Sequence, residues 1–255
     1  MSFQRYVAIG DSSTEGLDDP DGHGGYRGWA NRLAERIAAV QGSLRYANLG
    51  IRGRTTREIK AEQLAPALAL GPDLVTLFSG TNDVIRRRFD ARAVATDILA
   101  MHRALIEQGA TLLTFTLPDL TPVMPVARWV APRVLALNAA LRDVCAASGA
   151  LLVDLARYPV ASDSRLWSKD RLHGNSEGHA RIAAALAQAL GLPGADSSWA
   201  EPLPDREPRG KGARLADELF WWRVHLVPWV WRHVRGRSSG DGRRAKRPDL
   251  LEVGS

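Results

Sequence analysis

Ser12, Asn82, Asp170 and His173 are the residues of this chain whose types and places suggest chemistry. Ser12 ends Gly10-Asp11-Ser12, directly after the apolar run Tyr6-Val7-Ala8-Ile9. A serine hydroxyl is a weak nucleophile at neutral pH. It needs a general base within hydrogen-bond reach, and the base needs a carboxylate to orient it. Asp170-Arg171-Leu172-His173 offers a carboxylate and an imidazole at a spacing that one turn can close. Attack on a carbonyl also needs donors aimed at the developing oxyanion. Gly80-Thr81-Asn82-Asp83 supplies an amide side chain, and the glycines of Asn48-Leu49-Gly50-Ile51-Arg52-Gly53 let backbone N–H groups approach a ligand closely. The chemistry would be acyl transfer through a serine.

Each block also has a plainer reading. Gly-Asp-Ser alone suits a strand-to-helix turn with Asp or Ser as cap. Asn82 and Asp83 suit a turn, and Asp170 and His173 are of types that are usually exposed. Asp11 reads as a residue that holds the first loop by hydrogen bonds. His179, on an amphipathic stretch, reads as a helix-surface or packing residue, and His23 and His102 stand in no motif. Cys145 lies on an apolar helical pattern and reads as a buried core thiol. Asp19 and Asp21, with glycines from Gly22 to Gly25, suggest a mobile loop beside Ser12, but a calcium loop would need a closing Glu that is missing.

The positioning elements alternate in type. Strand-like runs at Tyr6–Ile9, Leu44–Leu49, Leu74–Phe78, Thr111–Thr116 and Leu151–Leu155 are separated by helical patterns. These cover Gly28–Val40, Thr55–Leu70, Ala91–Gln108, Arg128–Ser148 and Ser176–Leu190. The alternation predicts α/β architecture, a parallel sheet with helices on both faces, in which ligands gather at the carboxyl ends of the strands. The loop Pro118–Pro132, with Trp129, is expected to line one wall of the pocket.

The four blocks, in this order, resemble the SGNH hydrolases, the GDSL-like esterase and lipase family. His173-Gly174-Asn175-Ser176-Glu177-Gly178-His179 also resembles the end of that family's last block. The resemblance runs over roughly residues 5 to 190. It implies a three-layer α/β/α sandwich with a five-stranded parallel sheet, flavodoxin-like in style. It implies Ser12 as nucleophile, His173 as base and then acid, and Asp170 as its orienting carboxylate. The backbone N–H groups of Ser12 and Gly53 and the Asn82 side chain would form the oxyanion hole, with Gly53 preferred over Gly50. No metal or organic cofactor is expected. The activity implied is hydrolysis of carboxylic esters through an acyl-enzyme. An acyltransferase using the same serine and a catalytically idle scaffold are the competing readings. Ser13 stands where the family often has Leu, so either serine is a candidate, with the position after Gly-Asp favouring Ser12.

Composition bounds the rest. The chain has 255 residues, 45% of them hydrophobic, enough for one sizeable core, and a single cysteine, which excludes an internal disulfide. The serine motif begins ten residues from Met1, leaving no room for a secretory signal core, so a cytoplasmic location is expected. The net charge of +6 is concentrated late: residues 200–255 carry 12 Lys and Arg against 8 Asp and Glu. Arg86-Arg87-Arg88 reads as a solvated loop. The expected organisation is a catalytic domain over 1–192, a Pro-rich charged linker or surface-hugging extension over 193–212, a Trp-rich amphipathic segment over 213–235 and a disordered basic tail over 236–255. Half of the eight tryptophans lie in Leu219–Trp231. That segment is too short to span a bilayer. It either folds back on the domain or a second subunit, or lies on an anionic membrane surface with its contact over 219–234. The expected partner is a small-molecule ester. Nucleic acid is not, because the most basic part, Arg243 to Arg247, has no aromatics.

Overall fold

The structure, a computed structural model, describes residues 2–205, 210, 212, 218–228, 231 and 239–254. Its elements in chain order are β1 (Arg5–Gly10), α1 (Ser12–Glu15), α2 (Gly28–Gln41), β2 (Arg45–Asn48), α3 (Thr56–Ala69), β3 (Leu74–Phe78) and α4 (Thr81–Ile85). There follow α5 (Ala91–Glu107), β4 (Thr111–Phe115), α6 (Ala131–Ser148), β5 (Leu151–Val153), α7 (Ser176–Ala189) and β6 (Arg247–Glu252).

The first five strands are all parallel, and the sheet order is β5-β4-β3-β1-β2-β6. Strand order therefore reverses between β1 and β3, and a crevice opens there at the carboxyl ends. The central strands are apolar throughout because both faces are covered: β3 is buried at every position, and so are Tyr6 to Gly10 of β1. Helices α2 and α7 pack together on one side, and α3, α5 and α6 on the other. Trp29, Leu33 and Ile37, spaced along one face of α2, are fully buried.

The sheet has six strands where five were expected. The extra one, β6, pairs antiparallel with β2 and lies in the segment 236–255 that composition predicts to be disordered. The Arg, Gly and Ser content belongs to the first half of that segment. Arg247-Pro248-Asp249-Leu250-Leu251-Glu252 covers the edge that β2 would otherwise expose. Leu250 and Val253 pack against the core. Lys246, just before the strand, donates to the carbonyls of Tyr26 and Arg27 at 2.7 and 3.0 Å. Gly240 lies so close to the β2–α3 loop that a Cβ there would come within 2.1 Å of the Arg52 carbonyl oxygen.

The stretch after α7 hugs the domain. Trp199 is buried against Tyr158, and the carbonyls of Trp199 and Glu201 accept from Arg181 at 2.8 and 2.6 Å. Of the Trp-rich segment, 218–228 and Trp231 are described, and 218–228 is helical, with π-type geometry over Trp222–Leu226. It folds back through Trp221, which is 3% exposed. Trp229, the residues 232–238 and most of 206–217 lie outside the described residues.

Candidate active site

Ser12 is the first residue of α1, at the carboxyl end of β1. The chain can turn so tightly there because Gly10 has no side chain: a Cβ would meet the Phe78 carbonyl oxygen at 2.4 Å and Thr14 Oγ1 at 2.2 Å. Asp11 caps the turn by accepting from the Ser13 N–H at 3.0 Å. As the first helical residue, Ser12 has no intrahelical partner for its own N–H.

The loop before α7 brings an imidazole to this serine. His173 Nε2 lies 2.8 Å from Ser12 Oγ, and His173 Nδ1 lies 2.6 Å from Asp170 Oδ2. These partners fix the tautomer: Nδ1–H donates to the carboxylate and Nε2 accepts from the hydroxyl. Asp170 also accepts from the backbone N–H groups of Leu172 and His173 at 2.9 and 3.0 Å and from Ser168 Oγ at 2.6 Å. The spacing of three works because the carboxylate closes its own turn. Arg171 takes a positive φ of 63° inside that turn, a conformation that costs energy for a residue with a Cβ.

Ser13 is differently engaged. Its Oγ accepts from Trp29 Nε1 at 3.1 Å, so of the two adjacent serines it is Ser12 that faces the imidazole.

Burial and charge compete at His173. Burial alone would push the His173 imidazole down. The hydrogen bond and charge of Asp170, with the charges of Asp18 and Asp11, outweigh it and hold the group above its ordinary value of 6.5. Burial opposes ionisation of Asp170, but the His173 hydrogen bond and charge keep its carboxyl far below the usual carboxylate range. Asp11, fully buried, is pushed up to about 7 by burial, against the pull of the Ser13 N–H and the His173 charge.

Of the other expected oxyanion residues, Asn82 stands in the first turn of α4 and Gly53 on the β2–α3 loop. Asn82 Nδ2 donates to the Arg54 carbonyl at 3.0 Å and, at a longer 3.3 Å, to Asp11 Oδ2. The short helix α4 that carries it is held by Asp83, whose Oδ2 accepts from the Thr56 N–H and hydroxyl, both at 2.9 Å. Gly53 follows Arg52 at a φ of 76°. A buried ion pair between Arg52 and Glu15 and the Asn48 Nδ2 bond to the Thr14 carbonyl at 2.8 Å draw that loop onto α1. The N–H of Gly50 is committed to Asn48 Oδ1 at 2.9 Å.

Two features escaped the sequence reading. Asp18 stands with its carboxylate 4.0 Å from His173 Nδ1 and 2.6 Å from Ser168 Oγ, beside Asp170. Trp221, far along the chain, donates from Nε1 to the Asp170 carbonyl at 3.0 Å, and the Arg171 guanidinium lies over its ring, 4.9 Å from the centroid. Of the two readings of His179, surface or packing, the structure has the packing one: it is buried, Nδ1 accepts from the Trp29 N–H at 3.1 Å and Nε2 donates to the Leu17 carbonyl at 2.9 Å. Burial pushes its pKa down to about 4, so it is a neutral strut between α7 and α2. His102 is likewise buried, against Ser148. Asp19, weighed for a calcium loop, is taken by Arg32 at 2.7 Å and the Gly28 N–H at 3.0 Å.

Beside Ser12 and His173 opens a cavity of about 270 Å³ with walls from Phe78, Phe115, Leu120, Val134, Val160 and Ile182. The loop at 118–132 does line one side, through Pro118, Leu120, Met124 and Ala127. Trp129 does not: it is 74% exposed, with Arg128 stacked on its ring.

A β1 serine thus faces a histidine and a carboxylate from the loop before the last helix of the α/β layers, at the carboxyl ends of the parallel strands, where such folds gather their ligands. The chain matches the GDSL-like lipase/acylhydrolase family over residues 8–181 and belongs to that family. An acetylxylan esterase from Geobacillus stearothermophilus is 34% identical over 93 residues, and the match covers 34% of this chain and 42% of that protein. The chain thus matches less than half the length of that curated relative. Among solved structures, LAE5, described as an α/β hydrolase enzyme from the metagenome of Lake Arreo, Spain, is 25% identical with a TM-score of 0.63, over 74% of this chain and 96% of that one. A catalytic mutant of the acetylxylan esterase Axe2 from Geobacillus stearothermophilus shares the fold at 18% identity and a TM-score of 0.63, over 79% of this chain and 98% of that one. TesA does so at 22% identity and a TM-score of 0.62, over 73% and 98%. The family match ends before the Trp-rich segment and β6.

Proposed function

We propose that the protein hydrolyses carboxylic esters of medium-length acyl chains through an acyl-enzyme on Ser12. The observation that carries the reading is the relay from Ser12 Oγ through His173 to Asp170, at 2.8 and 2.6 Å. His173 Nε2 takes the hydroxyl proton as Ser12 Oγ bonds to the carbonyl carbon. The carbonyl oxygen becomes an oxyanion facing the N–H groups of Ser12 and Gly53 and the Asn82 amide, which exchanges its long bond to Asp11 for the substrate. On collapse, the carbon–oxygen bond to the alcohol breaks, and the imidazolium returns its proton to the leaving alkoxide. A water, deprotonated by His173, then attacks the acyl carbon, releasing the acid and restoring the Ser12 hydroxyl. Asp170 keeps the imidazole in the required tautomer and stabilises its charged form.

The acyl side is favoured by the apolar cavity. At roughly 30 Å³ per water-sized group, about 270 Å³ has room for a chain of about eight carbons. An acetyl group would leave most of those walls uncovered, and each buried CH₂ contributes about 0.8 kcal/mol.

The test is hydrolysis of p-nitrophenyl esters graded from acetyl to lauryl by the wild type and by Ser12→Ala. The expected result is a kcat/KM maximum near octanoyl and loss of turnover in the variant. A maximum at acetyl would overturn the chain-length reading. Full turnover by Ser12→Ala would overturn the mechanism.

A further inference from the structure

The segment 218–228 is anchored on one side only. Trp221 is buried, with its indole N–H on the Asp170 carbonyl at 3.0 Å, and Arg171 pairs with Glu218 at 2.6 Å. Away from that anchor, Leu219, Phe220, Trp222, Val224 and Val227 are all exposed, Leu219 and Phe220 by 64% and 60%, and Trp231 continues the row at 56%. A contiguous set of large apolar groups on a charged protein marks an interaction surface.

We infer that this face is a docking surface for an anionic lipid bilayer. Charge selects the occupant. Between Leu219 and Gly240 there is no Asp or Glu, while Arg223, Arg232, Arg235 and Arg237 stand in or directly after the apolar row. Arg223 lies exposed among the exposed apolar residues. A second copy of residues 219–228 would offer Arg223 no carboxylate. Anionic headgroups instead complement it. Tryptophan is the residue type that suits the junction between headgroups and acyl chains, with an apolar body and a polar N–H. The helix is too short to span and among the described residues no helix is long and apolar enough to cross a membrane, so the segment lies in the interface.

The anchor gives the docking a consequence. Trp221 and Arg171 tie the face to the loop whose next residues, Leu172 and His173, line the cavity. A bilayer held there would lie beside the side of the site that carries the base.

The inference does not rest on the ester chemistry, because binding is read without turnover. The full chain is sedimented with vesicles of phosphatidylcholine alone and of phosphatidylcholine mixed with phosphatidylglycerol, alongside Phe220→Ser/Trp222→Ser, which leaves Trp221 in place. The expected result is cosedimentation with the mixed vesicles, weakened by salt, and at least about tenfold weaker in the double variant. A full chain that stays in the supernatant with both vesicles overturns the inference, as does equal binding by the double variant. A dimer in light scattering that the double variant abolishes, without vesicle binding, assigns the face to a second copy instead. Unchanged far-ultraviolet circular dichroism shows that the variant is folded, and Arg223→Glu, which removes no apolar surface, must also weaken binding to the mixed vesicles.

Discussion

Replacing Asp170 by Asn separates charge and tautomer from loop geometry. An Asn oxygen can keep the bonds from the Leu172 and His173 N–H groups, so the turn survives. Its amide nitrogen then faces His173 Nδ1 as a donor, and the imidazole must carry its proton on Nε2, where it can no longer accept from Ser12. The charge matters as well. The two side chains are only 14% and 26% exposed, so solvent screens them little. Unit charges about 4 Å apart at an effective dielectric of about 20 interact by about 4 kcal/mol, which is about three decades of rate if the imidazolium forms in the transition state. With the tautomer penalty, the expected loss in kcat is about 10³- to 10⁴-fold. The assay is steady-state hydrolysis of p-nitrophenyl octanoate from pH 5 to 9. One neighbour complicates the result: Asp18, 4.0 Å from His173 Nδ1, can stand in as a weaker orienting carboxylate. The double variant Asp18→Asn/Asp170→Asn therefore belongs in the same experiment. Retention of a tenth or more of the wild-type kcat by both variants would refute the reasoning.

Other consequences are read independently. Because Asp170, Asp18 and Asp11 together hold His173 above 6.5 against burial, the acid limb of kcat/KM should have its midpoint above that value, activity falling as pH drops and the base is protonated. Removing Asp170 leaves burial to dominate and moves the midpoint to lower pH, which the same profiles measure. Asn82→Ala should lower kcat about 100-fold with the melting temperature little changed, since its bonds to Arg54 and Asp11 lie at a loop. Trp221→Phe keeps a ring under Arg171 but deletes the bond to the Asp170 carbonyl, worth about 1 kcal/mol, and should reduce kcat several-fold with KM on a soluble ester unchanged.

The α/β layers were legible because periodicity and the Gly and Pro stops at Gly71-Pro72, Gly109 and Gly149 carry local information, and each helix ended within a residue or two of its pattern. Helix α6 began late, at Ala131, because Pro125–Trp129 forms a separate 3₁₀ turn. Ser12, His173 and Asp170 were legible by residue type and order. Their company was not. Asp18 reaches His173 only because it takes a left-handed turn with a φ of 65°, and nothing in its sequence neighbourhood marks it. Trp221 meets Asp170 across 51 positions, a contact that depends on how the segment docks. β6 escaped because its pairing depends on the free edge of β2, and averaging charge over twenty residues hid a six-residue strand. Trp129 was misplaced for the opposite reason, since its loop does line the cavity while that side chain turns outward.

The central claim is that Ser12 is the nucleophile, and covalent trapping tests it most directly. The full chain is treated with an octyl fluorophosphonate, and the adduct is mapped by peptide mass spectrometry in the wild type, Ser12→Ala and Ser13→Ala. The account predicts one adduct, on Ser12, lost in Ser12→Ala and retained in Ser13→Ala. An adduct on Ser13, or none on a folded wild type that hydrolyses p-nitrophenyl octanoate, would contradict it.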